Sequence, residues 1–222
     1  MKKIEIAKLG MIDYQAALDL QEKLLKEVMS GERDDTLLLL EHPPVITIGR
    51  SGSHSNIVAD EDVLRSQGVG IYDVGRGGDV TYHGPGQIVG YPIMDLKKHG
   101  RDIRAFGQKI EEIFIRLLKE EYGVYAHGEE KKYTGVWVGE EKITAIGIAV
   151  KHWVTMHGFA FNVNTNLEHF KWIIPCGLEG RGVTSLAKIN GCNQDFEKVN
   201  NLLADYFCSV FDAVKIEGAG IL

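Results

Sequence analysis

Strand-length apolar runs, each cut short by glycine or proline, alternate along this chain with a few stretches of helical periodicity, and this interleaving limits the fold more than any other feature. Residues 36–40 form a continuous apolar run of the buried-strand type, broken by His42-Pro43-Pro44. Val45-Ile46-Thr47-Ile48 is a second run, and a short helix near residues 60–66 leads to a third at 69–74. Residues 87–93, 133–138, 142–150 and 154–163 complete the strand series, with a hairpin expected around Gly139-Glu140-Glu141. Asp13 can cap a helix that stops at Gly31, with Tyr14, Ala17, Leu18, Leu25 and Val28 on one face. The longest helix starts at Asp102, carries Phe106, Ile110, Ile113, Phe114, Leu117 and Leu118 at helical spacing, and ends at Gly123. A last helix covers residues 196–211. No repeat or linker divides the chain. These patterns predict an α/β (α+β) single domain over residues 1–222, a mixed central sheet built mostly from hairpins and flanked by helices.

At 222 residues the chain can bury a sizeable core without a disulfide or metal staple. A net charge of -6 argues against bulk nucleic-acid binding, which calls for a basic face. The cysteines, Cys176, Cys192 and Cys208, form no CxxC pair and have no histidine at ligand spacing, so no metal site is expected. Their sparseness points to a reducing compartment. The strand-like start at Lys2-Lys3-Ile4-Glu5-Ile6 lacks the pattern of a signal or transit segment, and no run approaches a membrane span. A cytoplasmic protein is expected.

Three segments are suited to chemistry. In Arg76-Gly77-Gly78-Asp79-Val80-Thr81-Tyr82-His83-Gly84-Pro85-Gly86-Gln87, glycines would let backbone N–H groups approach a ligand, although a bulged hairpin explains the pattern equally well. The segment is neither a phosphate-binding loop nor a dinucleotide fingerprint. Lys142 opens a strand on which Ala145 and Gly147 share a face, leaving room for a ligand chain; a lysine at that mouth would be desolvated and its pKa lowered, although most lysines so placed are simply solvated. Pro175-Cys176-Gly177 precedes Arg181. A thiol in such a charged turn has the setting of a nucleophile, whereas Cys192 and Cys208 read as ordinary buried thiols. His152 and His157 are expected on opposite strand faces, and His42, His54, His99, His127 and His169 as incidental turn residues. His83 stands near any ligand of the glycine-rich turn, which keeps a Cys176–His83 hydrolase open.

Taken in order, these segments resemble the lipoyl(octanoyl) transferase family, the octanoyl-acyl carrier protein:protein N-octanoyltransferases. The resemblance is carried by Gly49-Arg50 with Asn56-Ile57, by the Arg76–Gln87 block with Tyr91-Pro92, and by Gly135-Val136-Trp137-Val138. It continues through Lys142-Ile143 with Ala145-Ile146-Gly147, then His157-Gly158-Phe159-Ala160 with Asn162, Ile174-Pro175-Cys176-Gly177 and Val183-Thr184-Ser185-Leu186. It implies a fold related to the biotin and lipoate protein ligases. It implies transfer of an octanoyl group from octanoyl-acyl carrier protein to a lysine of lipoyl domains, those of 2-oxoacid dehydrogenase complexes and the glycine cleavage H protein, with no ATP and no metal. The family pattern puts the acyl thioester on Cys176 and the lysine that tunes it on Lys142. The acyl-binding segments fall on Arg76, Gly77, Gly78, Asp79, Val80, Thr81, Tyr82 and His83, on Ala145, Ile146 and Gly147, and on Gly158, Phe159 and Ala160. Asp79 departs from the neutral or basic residue usual there, and the 97–104 linker and C-terminal helix are also particular to this chain.

The implied chemistry is coherent. A lysine ammonium favours the Cys176 thiolate, and backbone N–H groups at Gly77, Gly78 or Cys176 are the expected oxyanion donors. Ala145, Gly147, Gly158 and Ala160 are expected to leave the acyl groove open. Arg50, Arg76, Lys131, Lys132, Lys142 and Arg181 are expected to form a basic rim for acidic protein partners. An ATP-dependent ligase and a non-catalytic lipoyl-domain-binding module on the same fold are the alternatives.

Overall fold

The computed structural model describes residues 2–129, 134–174, 181–218 and 221. The chain opens with β1 (Lys2–Met11), α1 (Tyr14–Ser30), β2 (Asp35–Glu41) and β3 (Val45–Ile48). Next come α2 (Glu61–Ser66), β4 (Gly70–Asp73), β5 (Val80–His83) and β6 (Gln87–Ile93). The longest helix, α3 (Ile103–Tyr122), precedes β7 (His127–Gly128), β8 (Gly135–Val138), β9 (Glu141–Lys151) and β10 (Val154–Asn162). β11 (Gly182–Val183), α4 (Leu186–Asn190), α5 (Phe196–Val210) and β12 (Ala213–Glu217) complete the described elements.

Among the described residues, the central sheet runs β12-β1-β2-β6-β10-β9-β8-β7, with β11 beside the start of β9. It is mixed, as the sequence predicts: β1 is parallel to both β12 and β2, while β2, β6, β10, β9, β8 and β7 alternate in direction. It is less hairpin-built than expected. β1 and β2 are joined through α1 because parallel neighbours need a crossover, and β2, β6 and β10 are neighbours far apart in sequence. The β9–β10 turn is tight, with His152 and Trp153 both at positive φ (52° and 71°).

Residues of β2 explain the layering. Leu37 and Leu39 enter one apolar cluster with α3 and α5, and Leu38 and Leu40 enter another with α1. The sheet is therefore covered on both faces, which is why β2 reads as continuously apolar. The helices begin and end where their caps say. Asp13 accepts from the Gln15 and Ala16 N–H groups, Asp102 accepts from Ala105, and Gly31 and Gly123 close α1 and α3 in the left-handed region. A second, three-stranded sheet, β4-β3-β5, has its own apolar cluster of Ile46, Ile48, Leu64, Val80, Tyr82 and Ile173. The sequence patterns identify those strands but not their separation from the main sheet. No helix among the described residues is long and apolar enough to cross a membrane.

At the centre of the main sheet, where β6 and β10 pair, Gly158 has no room for a side chain. A Cβ at Gly158 would strike the Gly90 carbonyl oxygen and Pro92 Cδ. Gly107, inside α3, meets nothing within 4 Å of an added Cβ and has no positive φ. The two substitutions should diverge. Gly158→Ala is expected to lose at least about 2 kcal/mol through overpacking. Gly107→Ala is expected to gain about 0.5–1 kcal/mol from helix propensity. Urea or thermal unfolding checks both, and a neutral Gly158→Ala would mean the strands part freely.

Candidate active site

The glycine-rich segment ahead of β5 lies on the face of β9 that carries Ala145 and Gly147. Gly77 N–H donates to the Ile148 carbonyl over 3.1 Å, and a Cβ at Gly147 would sit 2.9 Å from the Gly77 carbonyl oxygen. Behind this loop, Gly49 donates to Asp79, Arg50 to Arg76 and Ser51 to Gly78. The small sheet is thus hinged onto the large one by backbone contacts. Between them, and under the start of α3, lies a cavity of about 810 Å³, within the range typical of small-molecule sites.

The cavity wall includes Arg76, Gly77, Gly78, Asp79, Val80, Thr81, His83, Ala145, Ile146, Gly147, Gly158, Phe159, Ala160 and Lys142. Tyr82 is not part of it. Its ring turns away, fully buried beside Phe170 and Trp172, and its hydroxyl lies 2.7 Å from His169 Nδ1. Cys176, with Pro175 and Gly177, lies outside the described residues. The groove expected at Gly147 and Gly158 is narrower than the missing side chains suggest, because Arg76 and Gly77 crowd the first and the Gly90 backbone the second. Gly77 N–H is committed to Ile148 and so is not an oxyanion donor.

Arg76 is buried. Its Nη2 donates to the Thr47 carbonyl (2.8 Å) and Oγ1 (2.9 Å), and its Nη1 to Gly77 (3.0 Å). It therefore braces its own loop against β3 instead of joining a basic rim, and burial lowers its pKa. Asp79 accepts from Asn56 Nδ2 at 2.9 and 2.8 Å and from its own loop at Val80 N (2.6 Å). The departure at position 79 thus serves to tie the 50–56 loop to β5. Of the other expected rim cations, Arg50 is exposed, Lys131 and Lys132 lie outside the described residues, and Arg181 is paired with Glu129 and Glu140.

His83 and His157 line the polar end of the cavity, with the His42 ring 6.0 Å from that of His83, and burial favours the neutral form of all three. His83 Nδ1 donates to Gln87 Oε1 (2.8 Å), which leaves Nε2 as the acceptor. Gln87 Nε2 donates to Asn162 Oδ1 (2.9 Å), and Asn162 Nδ2 donates to the Thr184 carbonyl (3.1 Å). Thr184 N–H in turn donates to the Lys142 carbonyl (3.0 Å). Burial pushes His83 down to about 3 and His157 to about 4, with nearby His42 adding to the first and Arg76 to the second. His42 is not the incidental turn residue the sequence suggests. Its Nδ1 donates to Ile12 O (2.8 Å), its Nε2 accepts from the Tyr91 hydroxyl (2.8 Å), and burial lowers it to about 4. Tyr14 and Tyr91, raised by burial, face the same space. The pairing of His42 with Tyr91 crosses 49 residues, a contact that no local pattern reveals.

Lys142 stands at the other end. Burial pushes its ammonium down to about 8, with Glu129 opposing the drop and Arg181 adding to it. β11 pairs with the start of β9, setting Val183 opposite Lys142. Arg181 grips Glu129 through two bonds of 2.7 and 2.6 Å. Among the described residues, no cluster of three His, Cys, Asp or Glu side chains is arranged to hold a metal ion.

Known proteins share this framework. Two octanoyltransferases are close in sequence. That of Caldicellulosiruptor saccharolyticus is 61% identical over 95% of this chain and 90% of its own length, and that of Desulforamulus reducens is 60% identical over 95% and 92%. Among solved structures, a lipoate-protein ligase A bound with ATP matches with a TM-score of 0.77 at 16% identity, covering 98% of this chain and 89% of its own. A bipartite lipoate protein ligase of Thermoplasma acidophilum, described with its E2 lipoyl domain, matches at 0.74 and 17% over 98% and 87%. The biotin protein ligase of Aquifex aeolicus with biotin and ATP matches at 0.56 and 14% over 96% and 71%. At such identities these likenesses concern the fold, which is thereby the one expected. The model of the lipoyl protein ligase A/B catalytic domain matches residues 13–208, and with relatives near 60% identity over almost the whole length, this chain belongs to that family.

Proposed function

We propose that this chain moves an octanoyl group from octanoyl-acyl carrier protein, through a thioester on Cys176, to a specific lysine of lipoyl domains, without ATP or metal. The octanoyltransferase activity is that of its relatives at 46–61% identity. The observation that carries the mechanism is Lys142, a half-buried ammonium on the wall of an acyl-sized cavity with its pKa brought down to about 8. The described residues nearest Cys176 pair with segments that adjoin the cavity wall at Asp79 and Lys142. Ile174 N–H, two residues before Cys176, donates to Asn56 (2.7 Å), and Gly182 pairs beside Glu141.

The chemistry runs in two exchanges. The Cys176 thiolate attacks the carrier thioester, the carrier sulfur leaves as thiolate and takes its proton from the Lys142 ammonium, and a new thioester of similar energy forms. The acceptor amine then attacks that carbonyl. Lys142, as free amine, takes the proton, and Cys176 leaves as thiolate, which the resulting ammonium stabilises. At pH 7 roughly one Lys142 in ten is free amine, enough for base catalysis while most molecules still favour thiolate. Ala145 and Ala160 keep the wall low enough for a methylene chain, each CH₂ of which contributes about 0.8 kcal/mol when buried.

Mixing the protein with octanoyl-acyl carrier protein, without ATP, should give an adduct of octanoyl mass by intact mass spectrometry, and none in Cys176→Ala. An adduct that requires ATP would instead indicate a ligase, and release of free octanoate without acceptor a hydrolase. Single-turnover transfer from the loaded enzyme should rise about tenfold per pH unit below pH 8 and level off above it. Lys142→Ala should lower it about 100-fold or more and flatten the profile. An unchanged profile removes Lys142 from the mechanism. The buried charge also costs stability. The folded pKa lies below the unfolded 10.5, so the penalty is complete below pH 8 and vanishes above about 10.5. Lys142→Met should therefore raise Tm by a few degrees at pH 7, and the gain should fade as pH climbs through that window.

A further inference from the structure

Trp137 is buried completely, yet among the described residues Lys142 and Arg181 both lie against its ring. Lys142 Nζ is 4.7 Å and the Arg181 guanidinium carbon 3.9 Å from the centroid. The arrangement is built into the backbone. Trp137 is the register partner of Lys142 across the β8–β9 pair, displaced by a bulge between Val136 and Trp137, and opposite partners share a face of the sheet. Arg181, next to β11, meets the same ring and is held there by its paired bonds to Glu129.

We propose that Trp137 is a positioning residue that sets the protonation balance of Lys142, its indole face stabilising the ammonium that burial and Arg181 disfavour. An aromatic face attracts a cation and gives the neutral amine no comparable gain, so it acts on one protonation state only. Other charges among the described residues also bear on Lys142. Glu129, after β7, favours the ammonium, and Arg181, ahead of β11, disfavours it. Glu111 and Arg104 on α3 line the same cavity, and Glu141 on β9 itself is paired with Lys188. Without the ring, the amine form would dominate further into the neutral range and the charge that favours a neighbouring thiolate would be lost. The consequence for rate rests on the proposed role of Lys142; the effect on its titration does not.

The test is therefore a titration, not an assay. In full-length protein labelled with 13Cε-lysine, the Lys142 resonance is assigned by its loss in Lys142→Ala and followed against pH. Replacing tryptophan by fluorinated tryptophans keeps the shape of the ring and drains its face of negative potential. The Lys142 pKa should fall stepwise with each added fluorine, by roughly half a unit in total. The same labelling in Trp137→Phe controls for Trp153 and Trp172 and should show no fluorine dependence. Arg181→Gln should move the pKa up, since it removes a repelling charge and frees Glu129. A Lys142 titration that fluorination leaves unmoved in folded protein overturns the proposal and leaves Trp137 as packing. A shifted titration together with normal transfer by Lys142→Ala would uphold the proposal and sink the base role assigned to Lys142.

Discussion

The Gly77 N–H bond to the Ile148 carbonyl is the contact on which the site depends. It joins the small sheet's leading loop to the middle of β9, and the close approach is allowed by Gly147, where a Cβ would sit 2.9 Å from the Gly77 carbonyl oxygen. Everything functional lies downstream of that contact. Arg76 reaches Thr47 because its loop is pressed against β9, and β5 then delivers His83 to the cavity. Without this hinge the two sheets would have separate cores and no shared cavity.

Electrostatically the cavity is divided. One end has imidazoles and phenols that burial keeps uncharged, which an aliphatic chain tolerates well. The other has a lysine whose charge is only moderately favoured, flanked by a carboxylate and a guanidinium locked to each other. A slot whose imidazoles and phenols are uncharged, with Arg76 bound to Thr47 in its wall and a titratable lysine at its end, suits a reaction in which a fatty chain is held while a single proton changes hands.

Much of this was legible before the fold was seen. Asp13, Gly31, Asp102 and Gly123 mark helix ends because capping is local chemistry. The ordered blocks around residues 76–87 and 142–147 locate the cavity wall, since a backbone that must pass close to another needs glycine. Illegible features are those made by distant pairing. The separate β4-β3-β5 sheet, the parallel β1–β12 pair, the inward turn of His42 and the outward turn of Tyr82 depend on partners tens to hundreds of residues away. The β9–β10 turn was equally opaque, because His152 and Trp153 occupy left-handed positions usually held by asparagine and glycine. Asp79 looks anomalous in sequence and ordinary in space, where Asn56 answers it.

The donors running from His83 through Gln87 and Asn162 to Thr184 and the Lys142 backbone all point the same way. Such a line has a polarity, and no member can reverse its own without leaving a neighbour with two donors or two acceptors facing each other. Its residues are therefore bound together as a unit of inheritance. A change at Gln87 alters which substitutions Asn162, 75 positions later, can survive, so these positions are expected to drift in concert or not at all.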